Sequence, residues 1–128
     1  MILYENAASG NCYKVRLLLA HLGRSYERRS VDVIDRSNRP ALLGDLNPSL
    51  RVPTIVLDDG SALGESGAIL WYFGEGTRFV PEDRYARAQV LQWMLFEQAS
   101  HGGEFAGPAR RAFGSRKPLR WAESQAIA

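Results

Sequence analysis

Apolar and polar positions change period several times along the first hundred residues, and each change marks an element. Ile2-Leu3-Tyr4 is a short apolar run between polar neighbours, which predicts a buried strand. Residues 5–11 are small and polar and predict a loop. From Cys12 to Leu22 the spacing predicts a helix, with Val15, Leu18, Leu19 and Leu22 on one face and Gly23 as its stop. Tyr26 to Val33 is rich in β-formers and predicts a strand, and Arg39 to Leu46 a short helix closed by Asn47-Pro48. Thr54 to Leu57 and Ser61 to Leu63 flank Asp58-Asp59-Gly60. That is a hairpin pattern, read here with both central turn positions at φ > 0. Glu65 to Phe73 predicts a helix opening on Glu65-Ser66. This order predicts an α/β domain built on a central sheet.

Residues 74–81 hold two glycines and a proline and read as a linker. Pro81-Glu82-Asp83 suits a helix start, since proline fits a first turn and acids fit its positive end. The helix that follows is expected to run to about Ser100. Within Val90 to Phe96 six of seven residues are apolar, so one face is expected to pack on the sheet domain while another needs a second partner. After Gly102 no helical period is sustained, and a short helix over Trp121 to Ala128 is the most that tail suggests. The expected organisation is an α/β domain over 1–74, a linker over 75–83 and an incomplete helical domain with an atypical tail over 84–128.

Composition narrows the function classes. Of 128 residues 45% are apolar, enough for a packed core, and no apolar run approaches the roughly 18 residues of a membrane span. The start of the chain lacks the basic and apolar pattern of a signal peptide, and one cysteine, Cys12, rules out an internal disulfide framework. A cytoplasmic setting is expected. Net charge is +2, balanced over residues 1–74 and biased to Lys/Arg after residue 102. No stacking aromatics accompany that basic tail, so neither nucleic acid nor membrane is expected as a partner.

Three short segments carry candidate chemistry. Val52-Pro53-Thr54 puts a proline at a strand mouth. A plain strand-start proline explains it, and a cis bond there would turn the Val52 backbone outward toward an extended ligand. Ser66 is a natural helix cap, and the same helix start could hold a carboxylate while Glu65 takes an ammonium group. Ser9-Gly10-Asn11-Cys12 opens a helix. Its small residues are explained as caps, or as a hydroxyl or thiol set in positive potential.

Residues 1–100 resemble the glutathione transferase family. The pattern Val52-Pro53-Thr54-Ile55, Asp58-Asp59-Gly60, Leu63, Glu65-Ser66 and Ala68-Ile69 is close to the signature of its thioredoxin-like domain. Ser9, Asn11 and Tyr13-Lys14-Val15 resemble bacterial members that replace the catalytic tyrosine with serine, threonine, asparagine or cysteine. The helix from Pro81 resembles the first helix of the family's all-α second domain. The resemblance implies a thioredoxin-like fold followed by the start of an all-α domain. It implies glutathione as co-substrate, a small electrophile or disulfide as second substrate, a homodimer and no metal. Pro53 would be the cis-proline, Val52 would pair with the cysteinyl backbone, and Glu65 and Ser66 would hold the γ-glutamyl head. Arg51, or else Arg39, would meet the glycyl carboxylate. Ser9, then Asn11, then Cys12 would activate the thiol.

The resemblance has departures. Leu50 stands where glycine is usual, and Gly64 and Gly67 stand where larger residues are common, an expected loosening of the helix start of up to about 1 kcal/mol each. Only the first helix of the second domain is legible, so a natural short form or a change of frame near residue 101 is expected. Two functions follow: a transferase-type enzyme, or a glutathione-binding or dimerising module without turnover.

Overall fold

The computed structural model describes residues 1–33 and 35–101. Expectations for the basic tail and for Trp121 to Ala128 lie outside the described residues. The elements are strand β1 (Ile2–Glu5), helix α1 (Gly10–His21), strand β2 (Glu27–Ser30), helix α2 (Arg39–Leu43), strands β3 (Thr54–Val56) and β4 (Ala62–Gly64), and helices α3 (Ser66–Gly74) and α4 (Arg84–Phe96). A π-helical turn over Glu97–His101 follows directly on α4.

The strands form one mixed sheet in the order β2-β1-β3-β4. β1 runs parallel to β2 and antiparallel to β3, with Leu3 opposite both Arg28 and Ile55. Alternation along the two central strands gives the sheet two apolar faces. Leu3 and Ile55 point to one side and pack with Val15 and Leu19 of α1 and Ile69 of α3. Tyr4 points to the other and packs with Val31 and Leu43, beside Ile2, Val56 and Leu50. The face of α1 predicted from spacing is therefore the buried one, with Cys12 added to it and Leu22 half-buried as the C-cap. Glu5, at the end of β1, is buried and paired with both Arg16 and Arg28. Arg16 also reaches the carbonyls of Asn6 and Ala7, so the loop leading to α1 is held down.

Several elements differ from expectation. β2 is shorter than Tyr26 to Val33 and exposed along its length, because it is an edge strand. Val31 continues the ladder by donating to Glu5 O and turns into the core. α2 stops at Leu43 rather than Leu46, where the N–H groups of Leu46 and Asn47 both turn back onto Leu43 O. The hairpin loop is three residues long. Leu57 N–H donates to Ser61 O, Gly60 N–H to Leu57 O, and Gly60 alone of Asp58-Asp59-Gly60 has positive φ, 87°. That is a turn followed by one left-handed residue, and the Asp59 carboxylate accepts the Ser61 N–H at 2.8 Å. Residues 75–83 are mostly exposed, with one anchor in the core. Val80 is buried, and its side chain lies where a Cβ on Gly74 would stand 3.1 Å away.

Helix α4 packs on the domain only in part: Ala86, Arg87, Val90 and Met94 are half-buried on one side, and none of its residues is fully buried. It leans on the domain through Arg87, which pairs with Glu75 and lies 5.1 Å over the Trp71 ring, and through the pair Lys14–Glu97 just beyond its end. Tyr85, Leu91, Trp93, Leu95 and Phe96 are left exposed.

Candidate functional site

The candidate site is the cleft where the N-terminus of α1, the loop before β3 and the N-terminus of α3 meet. Its walls are Asn11, Arg51, Val52, Pro53, Glu65, Ser66 and Gln98.

The loop is built by Asn47, which is buried. Its amide nitrogen donates to Thr54 Oγ1 at 2.9 Å and to Arg51 O at 3.3 Å, and its Oδ1 accepts from Ser49 N and Ser49 Oγ. Thr54 Oγ1 donates in turn to Arg51 O at 2.8 Å. These bonds hold the chain on either side of Val52 and Pro53, and the bond between those two is cis. Among the described residues the Val52 N–H and C=O make no hydrogen bond. They form a short free edge of the kind that takes an extended peptide. Leu50 has φ 53°, a left-handed conformation that costs a non-glycine residue of order 1 kcal/mol. Its side chain offsets that by packing beside Tyr4, Val31 and Leu43, so leucine is accommodated where glycine was expected.

The start of α3 corrects the sequence reading. Ser66 was expected as the cap. The cap position is Glu65, which makes no side-chain capping bond, and Ser66 is the first helical residue. Ser66 is 2% exposed, and its Oγ is the one buried side-chain polar atom without a hydrogen-bond partner among the described residues. A buried unpaired hydroxyl costs about 1–3 kcal/mol, and each one calls for an explanation. Glu65 carries a second cost. Its φ of 62° and ψ of 119° are sparsely populated for a residue with a Cβ, and such conformations cluster at binding sites. The backbone is fixed on both sides, by Gly64 opposite Thr54 in the sheet and by Ile69 N–H on Glu65 O in the helix. Gly64 does not loosen the helix start as expected, because it belongs to β4. A Cβ there would stand 2.7 Å from Asn47 Nδ2.

Of the three candidates for thiol activation, the structure brings Asn11 into the cleft. Ser9 caps α1, its Oγ accepting the Cys12 N–H at 3.3 Å; it is half-buried and does not line the cleft. Cys12 is fully buried, and its sulfur accepts the Asn6 N–H at 3.5 Å. Burial pushes its thiol up from the ordinary value, against the lowering effect of the bonds from Ser9 and Asn6. Arg39 is not brought in either. Its guanidinium donates to Asp32 O and Leu50 O and braces the loop from behind. Arg51 is exposed at the cleft wall with no ion pair among the described residues. Gln98 was not anticipated. It lines the cleft from the π turn, far along the chain from the other walls, a proximity that local sequence cannot signal. Among the described residues no cluster of His, Cys, Asp or Glu could hold a metal ion, and no helix is long and apolar enough to cross a membrane.

A mixed sheet with α1 and α3 on one face, α2 on the other and a cis-proline loop beside a helix N-terminus is the thioredoxin-like architecture. The sequence profile of one family, "Glutathione S-transferase, N-terminal domain", matches residues 8–75. The chain belongs to the glutathione S-transferase family. It is 38% identical over 94 residues to the maleylacetoacetate isomerase of Pseudomonas aeruginosa, a match covering 71% of this chain and 40% of that one. The crystal structure of a glutathione S-transferase from Pseudomonas fluorescens superposes with a TM-score of 0.72 at 42% identity, over 77% of this chain and 49% of the other. A Sulfitobacter glutathione transferase homologue with bound glutathione gives a TM-score of 0.73 at 25% identity, over 91% and 57%. The chain therefore spans about half the length of these structures and less than two thirds of the curated relatives.

Proposed function

We propose that this chain binds glutathione in the cleft and activates its thiol, for conjugation to a small electrophile or for reduction of a disulfide, in the cytoplasm and as a homodimer. The observation that carries the reading is the unpaired, buried Ser66 hydroxyl at the first turn of α3, in a cleft that also presents Glu65, Arg51 and the free Val52 edge. The Ser66 O–H and the first-turn N–H groups accommodate the carboxylate of the γ-glutamyl head. Glu65 takes its ammonium group, Val52 pairs with the cysteinyl backbone, and Arg51 faces the glycyl carboxylate. The bound tripeptide supplies the nucleophilic thiolate. Asn11 from the cleft wall, or the Ser9 hydroxyl two residues before it, donates to the sulfur and stabilises the charged form. A free thiol titrates near pH 8.5, and one hydrogen bond to the thiolate, of about 1.5–3 kcal/mol, lowers that by about one to two units. Cys12 stays protonated inside the core and takes no part.

The test is titration of the bound thiol. Ser9→Ala or Asn11→Ala raises its pKa by about one unit or more, whichever donates, and Cys12→Ala leaves it alone. Unchanged titration in both of the first two variants sinks the assignment. Two curated relatives are named as maleylacetoacetate isomerases, one of them probable, so isomerisation of an unsaturated acid belongs among the assays. A second reading is a glutathione-binding or dimerising module without turnover, favoured by the uncovered apolar residues of α4. Retention on immobilised glutathione with no turnover of a chromogenic electrophile selects it.

A further inference from the structure

Gln98 enters the cleft from an element that shares no ladder or core cluster with the sheet. It continues α4, and among the described residues its own ion pair to the domain is that of Lys14 on α1 with Glu97, the first residue of the π turn. Both side chains are half-buried, so the pair is partly withdrawn from solvent. Lys14 lies three residues after Asn11, hence on the same face of α1. The face that turns Asn11 into the cleft turns Lys14 toward Glu97, and Gln98 is the next residue along. The wider π turn re-aims side chains relative to a continuing α-helix, and such turns recur at functional sites.

We propose that the Lys14–Glu97 ion pair seats Gln98 in the cleft, so that Lys14 and Glu97 are positioning residues and Gln98 is a further contact for bound glutathione. This rests on the glutathione reading above. The Gln98 amide offers two donors and an acceptor to the tripeptide's own amides or carboxylates. Neither Lys14 nor Glu97 lines the cleft, so both act through Gln98.

Calorimetric titration of the full chain with reduced glutathione at low salt tests this. Gln98→Ala is expected to weaken binding about fivefold, the worth of one hydrogen bond. Lys14→Met and Glu97→Gln each weaken it about threefold, as for a partly exposed ion pair. Lys14→Arg, and Lys14→Glu combined with Glu97→Lys, keep wild-type affinity. Lys14→Met adds nothing in the Gln98→Ala background and leaves the pKa of the bound thiol where it was. Ser66→Ala, run alongside, weakens binding through the other half of the cleft. If Ser66→Ala weakens binding but Gln98→Ala does not, or if Lys14→Met costs as much without Gln98 as with it, the seating proposal is overturned alone. If the wild type binds no glutathione, the glutathione reading is overturned and this one with it.

Discussion

Cys12 shows how a residue can be in the right place along the chain and the wrong place in space. It sits at the start of α1 beside Ser9 and Asn11, where a reactive thiol would be expected. The helical period that buries Val15 and Leu19 also carries Cys12 inward, while Asn11, one residue earlier, faces the cleft. The local pattern marked this stretch as a site, and the period of α1, which begins at Gly10 after the Ser9 cap rather than at Cys12, turns Asn11 outward. The burial has a pH signature. Because the folded thiol titrates above its ordinary value of about 8.5, the unfolded chain releases that proton first as pH rises. Stability contributed by the protonated thiol is complete below that value and is lost as pH climbs through it. Chemical denaturation of wild type and Cys12→Ala between about pH 7 and 10 should show the wild type losing stability more steeply above about pH 8.5. A pH-independent difference between the two would mean the thiol ionises freely in the folded state.

Among the elements, α1, α3 and the hairpin were legible because their signals are local: an apolar period, a glycine after an Asp pair, a proline at a strand mouth. Their junctions were not. The hairpin was anticipated but its turn was misread, since the number of left-handed residues depends on which residues pair at the strand ends. Gly64 and Gly67 looked equivalent on either side of Glu65-Ser66, yet one lies in β4 and the other in α3. A Cβ at Gly64 collides with Asn47, whereas at Gly67 it meets only Met94 Cε, at 3.8 Å, an ordinary contact. Gly67→Ala should therefore stabilise the fold by up to about 1 kcal/mol through helix propensity, read as a higher urea midpoint at unchanged slope. A lower midpoint would mean that α4 lies closer to α3 in solution than the contact to Met94 allows.

For the whole molecule, α4 decides what kind of object this is. Its thirteen α-helical residues include none that is buried, and Trp93, 62% exposed, stacks edge-on against Phe96 at 5.6 Å. Contiguous exposed apolar surface of this kind is a candidate interface. If a second copy covers it, as proposed, sedimentation should show concentration-dependent self-association, weakened by Trp93→Arg. A chain that stays monomeric at tens of micromolar, with the same profile in the variant, would sink the homodimer. The apolar excess of Val90 to Phe96 was plain from sequence, but which surface it meets depends on packing that local periodicity cannot encode.

Asn47 has a consequence beyond stability. One buried amide touches the Arg51 carbonyl and the Thr54 hydroxyl and fills the space that a Cβ on Gly64 would need. The segment that offers Val52 and the segment that leads to Ser66 thus lean on a single side chain. For anyone redesigning this cleft, positions 47, 54 and 64 form one inheritable unit. A larger residue at 64 has to arrive together with a smaller one at 47, and ligand preference at one end of the cleft cannot be retuned without disturbing the other.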